Sequence, residues 1–197
     1  MKRAFRIAEL ALVVILAIMV GIPLYALPAI LSLPRGPRPG VERLTISQAA
    51  QQLRATGKTG WLLVEAARAL VAERMQYSRR NTFDTPARAF ERGYGYCHQQ
   101  AFALVDLLTR LGFEAQAVHA FRNRFPDGNV TSHAWVSVSV DNETRYVDSL
   151  YYNAQAGEIT FVPLSKVRAY TPFFKLLTTW GGTAVNAHRY YVTGKDE

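Results

Sequence analysis

The sequence has a single cysteine, Cys97, in 197 residues. That excludes a disulfide framework within the chain and any zinc site built on paired cysteines. Charge is sparse, at 19% of residues, while hydrophobic residues make up 49% and aromatics 12%, a balance that argues against disorder. No internal repeat is present, and no low-complexity tract beyond one Pro/Gly-rich stretch. Acidic residues are the minority, 15 against 23 Lys and Arg, for a net charge of +8. A nucleic-acid surface would need those cations gathered on one face. They are scattered, with Arg79–Arg80 and the Arg122/Arg124 pair the only tight groups, so no nucleic-acid partner is expected. Attraction to anionic lipid is at least as good an account of the basic balance.

Between Leu10 and Leu33 there is no charge at all. Such a run can cross a hydrocarbon core of about 30 Å as a helix. Lys2, Arg3 and Arg6 precede it, as on the flank of an anchor or in the basic start of a signal peptide. Pro23 and Pro28 predict a kinked span or a helix that ends early. A cleaved signal needs small residues before the cut, and Tyr25-Ala26-Leu27-Pro28-Ala29 supplies them poorly. A retained single-pass anchor is the better reading, with a secreted protein the outcome if the segment is cleaved. Arg35, Arg38 and Arg43 nearly balance the basic start, but a long domain after a short N-terminus translocates largely regardless of its charge. The domain is therefore placed outside the cytoplasm.

Three segments follow: residues 1–33 as transmembrane or signal-anchor segment, 34–44 as a stiff Pro/Gly/Arg linker, and 45–197 as one domain. The domain, roughly 155 residues, is long enough for one hydrophobic core without staples. Short helices are predicted over 47–55, closed by Gly57, and over 86–92, capped by Thr85 and ended by Gly93. Leu63, Ala67, Leu70 and Val71 set a longer helix over 61–77. Phe102, Val105, Leu108 and Leu111 form another stripe closed by Gly112, which puts Cys97 at a helix start. After Gly112 the period changes to two. Strands are predicted over 114–121, 132–140 and 144–148, with turns at Pro126-Asp127-Gly128 and Asp141-Asn142. Thr171-Pro172 opens a last helix, ended by Gly181-Gly182. The fold class is α+β, an N-terminal transmembrane helix followed by a helical part packed on a small antiparallel sheet.

A thiol attacks a carbonyl well only as thiolate, a form that a helix N-terminus and a nearby imidazolium both favour. His133 is the best placed of the four histidines, on the strand face that carries Trp135, Ser137 and Ser139 rather than the valines. If Asp141-Asn142 form a two-residue turn, Val140 pairs with Glu143 and Trp135 falls opposite Asp148. His133 is then a diagonal neighbour of Asp148 on the same face. A slip of one residue would put them on opposite faces. His98, His119, His133 and His188 show no spacing that would hold a metal, and neither metal nor cofactor is expected.

The run Gly95-Tyr96-Cys97-His98-Gln99-Gln100-Ala101, then Leu111-Gly112-Phe113-Glu114-Ala115, His133-Ala134-Trp135-Val136 and Tyr146-Val147-Asp148, resembles the transglutaminase-like superfamily over about residues 77–152. The resemblance implies a papain-like core with Cys97 as nucleophile, His133 as general base and acid, and Asp148 as orienter. Tyr96 and Trp135 would line the substrate groove. The implied reaction is amide acyl transfer or hydrolysis through a thioester, on a protein or peptide substrate at its backbone or a glutamine side chain. A non-catalytic peptide-binding module on the same fold is the alternative. The chain departs from the animal crosslinking enzymes, whose nucleophile lies between glutamine and tryptophan where Tyr96 and His98 stand here. No tryptophan lies between Trp61 and Trp135, so no upstream indole is assigned as oxyanion donor; the Cys97 N–H is the first donor and the second is unassigned.

Overall fold

The computed structural model describes residues 2–150 and 155–196. Met1 and Glu197, at the outer ends of the expected segments, and residues 151 and 152, at the end of the resemblance, lie outside them. The chain runs α1 (Lys2–Leu31), α2 (Ile46–Ala55), α3 (Gly60–Arg74), α4 (Pro86–Arg92), α5 (Cys97–Leu111), β1 (Glu114–Arg124), β2 (Val130–Val140) and β3 (Glu143–Val147). Two-residue strands β4 (Val162–Pro163) and β5 (Arg168–Ala169) follow, then α6 (Pro172–Thr193). It is a mixed fold of helices and antiparallel sheet behind one N-terminal apolar helix.

Local chemistry explains most boundaries. Thr45 caps α2, its hydroxyl accepting from Gln48 N while the Gln48 side chain accepts from Thr45 N. Thr85 caps α4 with Pro86 at its start, and Gly93 closes it in the left-handed region at φ 76°. The helix expected to reach residue 77 ends at Arg74. Beyond it Gln76 pairs with the glycine segment instead, donating to Gly93 O at 3.0 Å and accepting from Gly95 N at 3.0 Å. That exchange of helical for extended pairing carries Tyr77 beside the start of α5. Residues 34–44 lie against the same region: Arg38 N donates to Arg92 O at 2.8 Å, and the Arg92 and Arg74 guanidiniums reach Pro34 O and Glu42 O.

The sheet order is β3-β2-β1-β4, with β5 also on β1 and every pairing antiparallel. Asp141 and Asn142 both take positive φ, 50° and 66°, as a two-residue twisted turn requires. Val140 pairs with Glu143 and Val136 with Val147, the register expected. Alternation then divides β2 between two cores. Ala134, Val136, Val138 and Val140 pack with Leu63, Val64, Leu104, Leu107 and other residues of the helices. Trp135 packs on the opposite face with Val118, Ala120, Phe125 and Phe161.

Of the two readings of α1, the early stop is not found; the helix continues through Pro23 and Pro28 to Leu31. One expectation about helix ends is corrected: α6 does not stop at Gly181-Gly182 and runs to Thr193. Gly182 is there for contact, because a Cβ at that position would stand 3.3 Å from the Tyr96 ring and hydroxyl. The glycine lets α6 press against the residue before Cys97.

Candidate active site

Cys97 is the first residue of α5, half-buried, preceded by extended Tyr96. Two glutamines hold that corner. Gln99 accepts from Tyr96 N at 3.1 Å and donates to Asp84 O at 2.8 Å, while the Gln100 amide donates to Gly95 O and Met75 O. The backbone entering α5 is thus fixed by side chains one turn into the helix, with Cys97 at the helix's amide end.

His133 and Asp148 come from β2 and from the residue just beyond β3. Extending the register by one step sets Trp135 opposite Asp148, so His133 meets the carboxylate on the diagonal. His133 Nε2 lies 2.9 Å from Asp148 Oδ2, with side-chain exposures of 2% and 3%. The other carboxylate oxygen accepts from Leu150 N at 3.0 Å, which orients the acid. The ring is packed by Phe161 at 5.0 Å and Phe125 at 5.5 Å between centroids. Cys97 lines the same cavity as the imidazole and is near enough to favour its charged form. Since Nε2 is taken by Asp148, Nδ1 is the nitrogen left for the sulfur.

Burial alone would keep the His133 ring neutral. The charge and hydrogen bond of Asp148, joined by the Cys97 contact, outweigh it and push the pKa up to about 10. His98 behaves oppositely. Burial, helped by the Lys175 charge, lowers its pKa to about 4. It is a neutral ring with Nδ1 3.3 Å from the Tyr96 hydroxyl.

A cavity of about 480 Å³ opens over these groups, lined by Cys97, His133 and residues of β1, β2, the segment after β5, and α6. Its wall is aromatic. His119 stacks on Phe174 at 4.2 Å, and Tyr170 stands 4.9 Å from His119 and 5.3 Å from His98. Tyr77, Tyr96 and Tyr170 are all held protonated by burial first and by proximity to the Cys97 charge second.

The three residues expected to react are therefore in one place. Tyr96 lies on the cavity wall, 4% exposed. Trp135 does not. It is fully buried, with Phe161 at 5.0 Å and Tyr146 at 5.8 Å covering its face of the sheet, so its expected place in a substrate groove is corrected to a core role beneath His133. Tyr77, His119, Tyr170 and Phe174 also line the cavity, and none is among the expected site residues. Tyr77 closes an expected helix, His119 lies on an expected strand and Phe174 just inside an expected helix, but those patterns do not show which residues meet at a cavity.

No curated protein matches the chain significantly in sequence. Among solved structures, one of a candidate cysteine protease from Cytophaga hutchinsonii is similar at a TM-score of 0.42 and 15% identity, over 74% of this chain and 53% of that one. The chain thus spans about half the length of that protein. The family model of the transglutaminase-like superfamily matches residues 47–149, more than half of the chain and a stretch that includes Cys97, His133 and Asp148. The chain belongs to the transglutaminase-like superfamily.

Proposed function

We propose that the protein is a membrane-anchored cysteine enzyme that cleaves or transfers the acyl group of amides. Cys97 attacks the amide carbonyl of a peptide backbone or a glutamine side chain. His133 hands its proton to the departing amine, and the acyl group remains on sulfur as a thioester. Water or a second amine then attacks, His133 takes the proton from it, and the thiolate is released. Asp148 keeps the imidazole oriented and stabilises its charged form, and the Cys97 N–H donates to the developing oxyanion. Hydrolysis is favoured over crosslinking because no feature of the chain marks an amine-acceptor site. No cofactor enters these steps.

The observation that carries the reading is the buried His133 ring, bonded to Asp148 and sharing one cavity wall with Cys97. A raised His133 pKa places an imidazolium beside the sulfur at neutral pH, the arrangement in which a thiol reacts as thiolate. Iodoacetamide alkylation of Cys97 at neutral pH tests it. Replacing His133 by alanine, or Asp148 by the isosteric asparagine, should slow alkylation by about tenfold or more, provided circular dichroism shows an intact fold. Unchanged rates in both variants would favour the non-catalytic peptide-binding module.

A further inference from the structure

The apolar window of α1, Glu9–Leu31, is 23 residues long, and the contact of α1 with α6 falls inside it. Ala26 and Ala29 are each 1% exposed there, Tyr25 packs edge-on against Tyr191 at 5.3 Å, and its hydroxyl meets His188 Nδ1 at 3.2 Å. At 1.5 Å per residue the window is about 35 Å long, about 5 Å more than a hydrocarbon core of about 30 Å. Tyr25 stands about 9 Å below the end of the window by the same rise. The spare length cannot lift the contact clear of the hydrocarbon, and Arg6 and Glu9 oppose sliding α1 the other way. Wherever α1 crosses a bilayer, the part of α6 beside Tyr25 is at membrane level too.

The surface of α6 suits that place. Phe173, Leu177, Gly181, Ala184, His188 and Tyr191, spaced by three and four, form one face with no Lys, Arg, Asp or Glu. Phe173 is 70% exposed and Leu177 51%, and Val185 and Val192 widen the apolar strip. Tyr190, Tyr191 and Trp180 on this helix and Tyr25 on α1 are the residue types that gather at membrane–water boundaries. The strip is also the rim of the cavity. Leu177, Gly181 and Val185 line the cavity while facing outward, and so does Phe121, 56% exposed. Among the described residues of the lining, Arg189 alone carries a permanent charge, and it is exposed, where a lipid phosphate can meet it.

We propose that α6 is a second membrane-contacting element, seated in the headgroup–acyl boundary beside α1, so that the Cys97 cavity opens onto the bilayer and takes its amides from membrane-bound polypeptides. This rests on α1 as a membrane span and on Cys97 as the reacting group. α6 binds as an amphipathic interfacial helix does, through its apolar strip, with α1 supplying the tether.

Nitroxide labels at residues 173, 192, 15 and 62, each introduced as a cysteine in the full chain carrying Cys97→Ser, measure depth in phosphatidylcholine–phosphatidylglycerol vesicles. Leu62, on α3 and 72% exposed, is the water reference, and Ile15 reports on α1. The ratio of collisions with oxygen to collisions with a water-soluble nickel chelate should be about tenfold higher at 173 and 192 than at 62. Water-like labels at 173 and 192 with a hydrocarbon-like label at 15 overturn this inference alone. A water-like label at 15 removes the span and the inference together. The mouth is tested on unmodified Cys97 in the same vesicles at about pH 8, where any accessible thiol reacts whether or not His133 activates it. N-dodecylmaleimide, which partitions into the bilayer, should alkylate it about tenfold faster than N-methylmaleimide. A slower dodecyl reaction means that the cavity faces water and overturns the proposal.

Discussion

The behaviour of His133 follows from two opposed forces on one ring. Removal from water favours the neutral form, and a carboxylate 2.9 Å away favours the cation; the carboxylate wins. A pKa raised from 6.5 to about 10 links folding to protonation. The pair's contribution to stability is fully present below about pH 6.5, where folded and unfolded rings are both charged. It declines above that, as the unfolded ring gives up its proton first, and is gone once pH has risen through about 10. Denaturant midpoints measured across this range should fall for the native sequence and lose that part of the slope in Asp148→Asn. A slope identical in both proteins would mean that Asp148 does not hold the proton. The same pair was the most readable part of the site. His133 lies on a strand whose alternation is clean and Asp148 one residue past its neighbour, the two strands being joined by a turn whose residues tolerate positive φ. Trp135 was less readable, because alternation gives its face and not what covers that face. Phe161, which covers it, comes from a stretch with no regular pattern.

At the scale of elements, glycines decide how closely segments meet, and the two kinds of glycine look alike in one dimension. Gly181-Gly182 reads as a helix stop, but the helix runs on and Gly182 is a place of close approach to Tyr96. Gly93 reads as a helix stop and is one, and it also carries a close approach. A Cβ there would lie 2.9 Å from the Arg74 carbonyl oxygen, a backbone atom that cannot swing aside, at a φ of 76°. Gly93→Ala should destabilise the protein by about 1–3 kcal/mol, from a strained backbone and a displaced Gln76 segment. Gly112 has a similar cap conformation at φ 98° but nothing within 4 Å of its Cβ position. Gly112→Ala should therefore cost less, and urea unfolding of the two variants separates the steric part from the conformational part. Equal losses would show that the approach to Arg74 O is relieved without effort. Strands β4 and β5, of two residues each, gave no periodic signal to read. They are set by β1, which offers the backbone partners.

Across the whole molecule, the helix and strands that carry Cys97, His133 and Asp148 fall within 97 to 148, and local pattern was enough to find them. The cavity above them is built differently. Its outer wall is α6, which leans on α1, and the hydrogen bond between Tyr25 and His188 joins residues 163 positions apart. A contact that distant in sequence is slow to form, since the intervening chain must be ordered before it is rewarded. On refolding, secondary structure should return first and shelter of the single thiol from a bulky, uncharged reagent later, in a separate kinetic phase. Simultaneous recovery of far-ultraviolet ellipticity and thiol shelter would mean that the wall closes with the rest. If the lag is found, a newly made chain holds its reactive sulfur uncovered for a time, with the outer helix not yet seated on the first.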